Sequence, residues 1–264
     1  MQRYNVQFCD LSMSFPRRGA APLSVIEGLS CSIKEGEFVC FLGPSGCGKS
    51  TLLNIIAGLF NQTAGEIKVG DFVIKPDAQG RPSGIGYVFQ EPRLLHWKSV
   101  SDNIKLVLKA AGIPQAEWKP LIKKHLEMVG LYAFNDSYPL ELSGGMQSRV
   151  SLIRALIIDP SLILMDEPLR SIDEITARRI RAEFVDIWSQ RRSTVLFVTH
   201  DISEAVYMAD RIFIMTEKPT RIHEEIMVDV PRPRELVDPK LFELEREITS
   251  IFYDEVFLTQ AGEK

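Results

Sequence analysis

At 264 residues, 45% of them hydrophobic and 25% charged, the chain is long enough to bury one large core. A net charge of −4 and a pI near 5.7 argue against a protein built to grip nucleic acid, and no apolar run approaches the length that spans a bilayer. No charged-then-apolar leader opens the sequence, so export is not expected; Cys9, Cys31, Cys40 and Cys47 form no C-x-x-C pair and read as free thiols of a reducing compartment.

In chain order, Tyr4–Cys9 and Leu29–Ile33 alternate apolar and polar residues, as half-buried strands do. Phe38–Leu42 is a short apolar run that predicts a buried strand. Gly43, Pro44, Ser45, Gly46, Cys47, Gly48, Lys49, Ser50 and Thr51 follow it and fit G-x-x-x-x-G-K-[ST]. A helix pattern over Ser50–Gly58 comes next, so the motif lies between a strand and a helix, as a phosphate-binding loop requires. Its glycines let the backbone fold close around phosphates with the N–H groups turned inward. Lys49 brings a compact charge to the β- and γ-phosphates, and the Ser50 hydroxyl is a ligand for Mg²⁺. Cys47, inside this loop, reads as a small oxidisable residue rather than a catalytic thiol.

Glu66–Val69 and Phe72–Ile74 flank Gly70 and Asp71, a hairpin signal. Ile85–Phe89 predicts a strand that ends at Gln90. The strand pattern then disappears until about residue 154, and this stretch reads as an inserted helical lobe. Ser101 is placed to cap a helix with Ile104, Val107, Leu108 and Ala111 on one face; Leu121, Ile122, Leu126 and Val129 make a second stripe, closed by Gly130. At Leu142–Met146, Ser143, Gly144 and Gly145 open a further helix. A capping serine with two glycines leaves backbone N–H groups accessible to an anion.

Ser161–Met165 predicts another buried strand, and Asp166 emerges at its end, on the side of an open α/β sheet where ligands bind. A carboxylate there can hold Mg²⁺ directly or through water, and adjacent Glu167 is a candidate general base for an attacking water. A helix over Ile175–Gln190, a buried strand over Thr194–Thr199, a helix over Ile202–Ala209 and a strand over Arg211–Met215 complete an alternation that implies a mostly parallel sheet covered by helices. His200 stands at the end of the first of these strands, where an imidazole can contact a γ-phosphate. The tail, residues 226–264, has an extended segment over Val228–Pro233 and a helix with Leu241, Leu244, Ile248, Ile251 and Phe252 on one face. Attachment to the same domain and binding of a partner both remain open for that helix.

Taken in order, these motifs resemble the ATP-binding cassette (ABC) family over about residues 4–234. The resemblance implies an α/β fold: a P-loop NTPase core with an N-terminal antiparallel β lobe and an inserted helical lobe (about 91–154), the ATPase domain covering 1–225. It implies ATP and Mg²⁺ as cofactors. Gln90 becomes the glutamine-loop residue that senses the metal and the attacking water, His200 the switch histidine, and Asp173 the end of the D-loop at the nucleotide. Ser143, Gly144 and Gly145 become the signature, which touches the γ-phosphate held by a second copy in a head-to-tail dimer. Phe15 is similar to the aromatic that stacks on adenine.

Finer segments (Gln90–Trp97, Val195–Ile202 and Val228–Arg234) are similar to the ATPases of nitrate, sulfonate and taurine importers. That branch implies a transmembrane permease met by Arg93–Trp97, an extracytoplasmic solute-binding protein as an indirect partner, and a peripheral place on the cytoplasmic face of the membrane. No nucleic acid is expected as a partner. The alternative is a nucleotide-binding regulatory module of the same family with little hydrolysis. Chromosome and repair ATPases separate the phosphate loop from the signature by a long coiled coil, and no heptad tract lies between Gly43 and Leu142. Three segments depart from the family pattern. The D-loop reads Arg170, Ser171, Ile172, Asp173 where Ser-Ala-Leu-Asp is usual; Gln147 and Ser148 follow Met146; and His96 stands where proline is usual.

Overall fold

The computed structural model describes residues 3–75, 82, 84–170, 172–235 and 237–261, with side chains as far as Phe252. In chain order the elements are β1 (Val6–Arg17), β2 (Ala20–Ile33), β3 (Phe38–Leu42), α1 (Lys49–Ile56), β4 (Ala64–Val69), β5 (Phe72–Ile74), β6 (Ile85–Val88), α2 (Val100–Ala110), α3 (Gln115–Met128), α4 (Gly144–Leu156), β7 (Leu162–Asp166), α5 (Glu174–Arg191), β8 (Thr194–Thr199), α6 (Ile202–Met208), β9 (Arg211–Met215), β10 (Ile222–Met227) and α7 (Pro239–Ala261). The chain divides into two compact units. One covers Ser83–Ser193; the other joins Gln2–Pro82 to Thr194–Lys264, so the first interrupts the sequence of the second.

In the discontinuous unit, β2, β1, β4 and β5 form an antiparallel sheet in that order. The hairpin at Gly70 and Asp71 is present, with Val69 paired to Phe72 and Gly70 at φ 55°. β1 and β2 are far longer than their alternating segments. Asp10 takes a φ of 50° and the β1–β2 register shifts four times, which breaks the period-two pattern the sequence would otherwise display. A second sheet carries β10, β9, β3 and β8 in sequence, with β3 parallel to both β8 and β9 and with β10 antiparallel on β9. Every residue of β3, β8 and β9 is buried, as continuous apolar runs in a covered parallel sheet must be.

β10 is an addition to the sequence reading. Of its six residues only Ile226 is buried, so no hydrophobic rhythm marks it. The core of this unit is aromatic: Phe41 stacks on Phe213 at 5.3 Å and meets Phe8 edge-on at 6.1 Å. α7 lies against α6, with Leu241 and Ile248 buried.

The continuous unit holds the parallel pair β6–β7 and helices α2 to α5. Leu94, Ile104, Leu108, Leu126, Val150 and Ile153 belong to its apolar cluster. One expectation is corrected: Ser99, not Ser101, caps α2. Ser99 has the extended backbone of a cap, and its hydroxyl accepts from the Asp102 amide at 3.2 Å, whereas Ser101 already lies in the first turn. Two serines two residues apart offer the same local signal, and backbone geometry selects between them.

Candidate functional site

The residues singled out in the sequence fall into two groups, one in each unit. In the discontinuous unit, the loop from Gly43 leaves β3 and runs into α1 with Gly48 as the cap residue. Its glycines serve different ends. A side chain at Gly43 would lie 2.9 Å from the Met215 Cβ, so that position is tight. Gly46 and Gly48 have φ of +81° and +134°, conformations that other residues rarely adopt. No atom lies within 4 Å of a Cβ built at Gly46, so that stretch of backbone is open to a ligand. The Lys49 ammonium is buried and donates to the Gly43 and Pro44 carbonyls at 2.7 and 2.8 Å, which curls it over its own loop. Pro44, Ser50 and Thr51 are half-buried, and Ser45 is exposed.

Thr220 joins this loop without any sequence signal. Its buried hydroxyl donates to the Cys47 carbonyl, and its own backbone bonds to Val25 and Glu27. Cys47 is buried, and burial raises its thiol above the ordinary value, so the loop cysteine is a packed side chain rather than the oxidisable one expected. All four cysteines are free thiols. Thr199 ends β8 beside Leu42 of β3, and the Gly43 amide points to the Thr199 carbonyl at 3.4 Å. Exposed His200 therefore follows from the strand next to the one that launches the loop. Phe15, half-buried on β1, meets Phe60 edge-on at 5.7 Å.

In the continuous unit, β6 and β7 run parallel, with Val88 opposite Met165, so Gln90 and the acidic pair leave neighbouring strand ends on the same side. Asp166 and Glu167 are both buried. Burial, and then the Asp166 charge, push the Tyr87 phenol above its ordinary value. Glu167 has a φ of 42°, a strained backbone for a residue with a side chain, and such strain clusters at working sites. One carboxylate oxygen of Glu167 accepts from the Gln90 amide at 3.4 Å and from the Arg170 guanidinium at 3.0 Å.

The head of α4 is built as the sequence implies. The Ser143 hydroxyl accepts from the Met146 amide at 3.3 Å, and a Cβ at Gly144 would meet nothing within 4 Å. At Gly145 the nearest atom would be Ile172 Cγ1 at 4.0 Å, so neither glycine is demanded by its neighbours. Asp173 caps α5, and the hydrogen bond from the Thr176 amide draws its carboxyl below the ordinary range. Ser171 lies outside the described residues. Among the described residues no cluster of three His, Cys, Asp or Glu side chains is placed to hold a metal, and no helix is long and apolar enough to cross a membrane.

Comparison with known proteins gives this arrangement its family. Residues 26–170 match the family model described as "ABC transporter". The aliphatic sulfonates import ATP-binding protein SsuB of Bacillus cereus is 40% identical over 87% of this chain and 89% of its own length. The nitrate import ATP-binding protein NrtD of Synechococcus elongatus is 40% identical over 88% of this chain and 86% of its own. Among solved structures, the ATP-binding cassette MJ0796, a dimer in a post-hydrolysis state bound to ADP and Pi, superposes with a TM-score of 0.77 at 30% identity, covering 86% of this chain and all of that one. The chain belongs to the ABC transporter family, as an ATP-binding subunit of the ATPase type, and its α/β fold is the P-loop fold of that family.

Proposed function

We propose that this chain binds and hydrolyses MgATP to drive an importer, working as a head-to-tail pair beneath a transmembrane permease on the cytoplasmic face of the membrane. The observation that carries the reading is the loop at Gly43–Thr51: open, left-handed glycine backbone around a buried ammonium suits a polyphosphate and little else. The residues present fit a magnesium nucleotide. Ser50, Asp166 and Gln90 would hold the ion, since a hydroxyl, a carboxylate and an amide are the oxygen donors that magnesium takes beside substrate phosphates and waters. When bound, the ion neutralises charge on the transferring phosphate.

The chain's own residues supply the rest. Lys49 leaves its two carbonyls for phosphate oxygens. Glu167 takes the proton of the attacking water, Gln90 orients that carboxylate, and His200 meets the γ-phosphate. Ser143, Gly144, Gly145 and Asp173 serve the nucleotide held by the second copy, and Phe15 stacks on adenine. The capped and sterically open helix head of α4 supports that role. Kinship with sulfonate and nitrate import proteins supports a small solute of sulfonate, nitrate or taurine type, delivered by an extracytoplasmic binding protein.

The second reading, a nucleotide-binding module with little hydrolysis, is favoured by one observation: the candidate base already holds a cation. Glu167→Gln separates the two. A hydrolase loses turnover by about a hundredfold or more, still binds ATP, and accumulates as a nucleotide-bound dimer by size exclusion. A purified chain that binds no ATP, or a variant as active as the parent, overturns the proposal.

A further inference from the structure

Arg170 is the residue at which the D-loop departs most in charge from the family pattern, and the structure gives that departure a partner. The turn that follows β7 folds back on itself: the Arg170 amide meets the Glu167 carbonyl at 3.3 Å, and the Ile172 amide the Leu169 carbonyl at 3.0 Å. This turn lays the Arg170 side chain over the Glu167 carboxylate, with Nη1 and Oε2 at 3.0 Å. Exposure is uneven across the pair. The Glu167 side chain is 9% exposed and that of Arg170 52%, so the carboxylate lies inside and the guanidinium reaches it from the surface. The same oxygen also accepts from the Gln90 amide, at the longer distance of 3.4 Å.

We propose that Arg170 is a latch on Glu167. It is a positioning residue that holds the base in an ion pair, and turnover requires the pair to open. The inference rests on the reading of Glu167 as the base. The pair pins the carboxylate toward Arg170 rather than toward an attacking water, so the base is turned away from its task while the pair is closed. A serine at this position leaves no such restraint.

The test compares steady-state ATP hydrolysis by the purified full chain with that of Arg170→Ser, Arg170→Lys, Glu167→Gln and the double variant Arg170→Ser/Glu167→Gln. Arg170→Ser is expected to raise kcat about two- to fivefold, the range open to a half-exposed ion pair, with KM for ATP unchanged. Arg170→Lys, which keeps the charge, stays near the parent. The advantage of Arg170→Ser shrinks toward one as salt is raised, because salt weakens the pair in the parent. The double variant shows no gain over Glu167→Gln. If Arg170→Ser leaves kcat unchanged or lowers it, or if its gain persists without Glu167, the latch is overturned. If Glu167→Gln itself keeps parental turnover, the reading of Glu167 as base fails instead.

Discussion

His125 shows how much a single side chain of this chain depends on its surroundings. It sits on α3 with 4% of its surface exposed, and its Nδ1–H donates to the Leu121 carbonyl at 2.8 Å, which fixes the tautomer because a carbonyl can only accept. It lines a cavity with Met128, Leu156, Ile163, Phe184 and Trp188. The charged groups that face it are Arg191, Lys124 and Asp159. Burial is the largest influence and lowers its pKa; the Leu121 hydrogen bond opposes it, and Arg191 and Lys124 add to it. The folded state therefore keeps the ring neutral at pH values where the unfolded chain takes up a proton. Stability is full above the ordinary histidine range and falls as the pH drops through it. Thermal melts between about pH 7.5 and 5.5 should show a larger loss for the parent than for His125→Gln, and equal losses would contradict the assignment.

At the scale of the element, α4 separates what a helix needs from what a site needs. Ser143 accepts from the Met146 amide, so Ser143→Ala should cost about 1 kcal/mol in denaturant unfolding. The glycines behind it meet no such local need. An alanine at Gly145 would come only into ordinary contact with Ile172, and alanine is the better helix former. Gly145→Ala is therefore expected to be neutral or stabilising by roughly 0.5 kcal/mol while ATP turnover drops severalfold or more. A variant that unfolds more easily and keeps its turnover would reverse the assignment of that glycine to ligand contact.

The same contrast between local need and ligand need explains which elements are legible in the sequence. β3, β8 and β9 can be read almost to the residue because a strand buried on both faces is apolar nearly throughout. The phosphate loop is legible because its chemistry requires particular residue types at fixed spacing. β10 is not, since an edge strand with five unburied residues carries no pattern. Thr220 on the Cys47 carbonyl is hidden because a backbone acceptor leaves no trace in side-chain identity. The charge of Arg170 stands out in the sequence, but its partner depends on how one turn folds back.

At the scale of the whole molecule, each unit carries its own core and its own group of candidate residues, and the proposed role beneath a permease requires an exposed contact for that partner. The exposed side chain best suited to make it is Trp97, 72% accessible in the segment between β6 and α2. That segment is not loose. Asn103, wholly buried, accepts from the Leu95 amide at 2.8 Å and donates to the carbonyls of Leu95, Lys98 and Ser99 at 3.0 to 3.1 Å, so one side chain on α2 ties down both ends of the loop that presents the indole. Next to it, Arg93 lies over the Phe89 ring at 4.1 Å, and Leu94 is buried in the helical cluster. A rigid loop offering one large aromatic is the anatomy of an interface anchor, and truncating such an anchor costs about 2 kcal/mol of binding, roughly thirtyfold. Trp97→Ala should therefore weaken permease binding and solute uptake by that order without moving the melting temperature. Asn103→Ala should lower both, since it also leaves buried backbone groups unpaired at a cost of about 1–3 kcal/mol. Uptake and permease pull-down at parental levels in Trp97→Ala would place the coupling surface elsewhere on the chain.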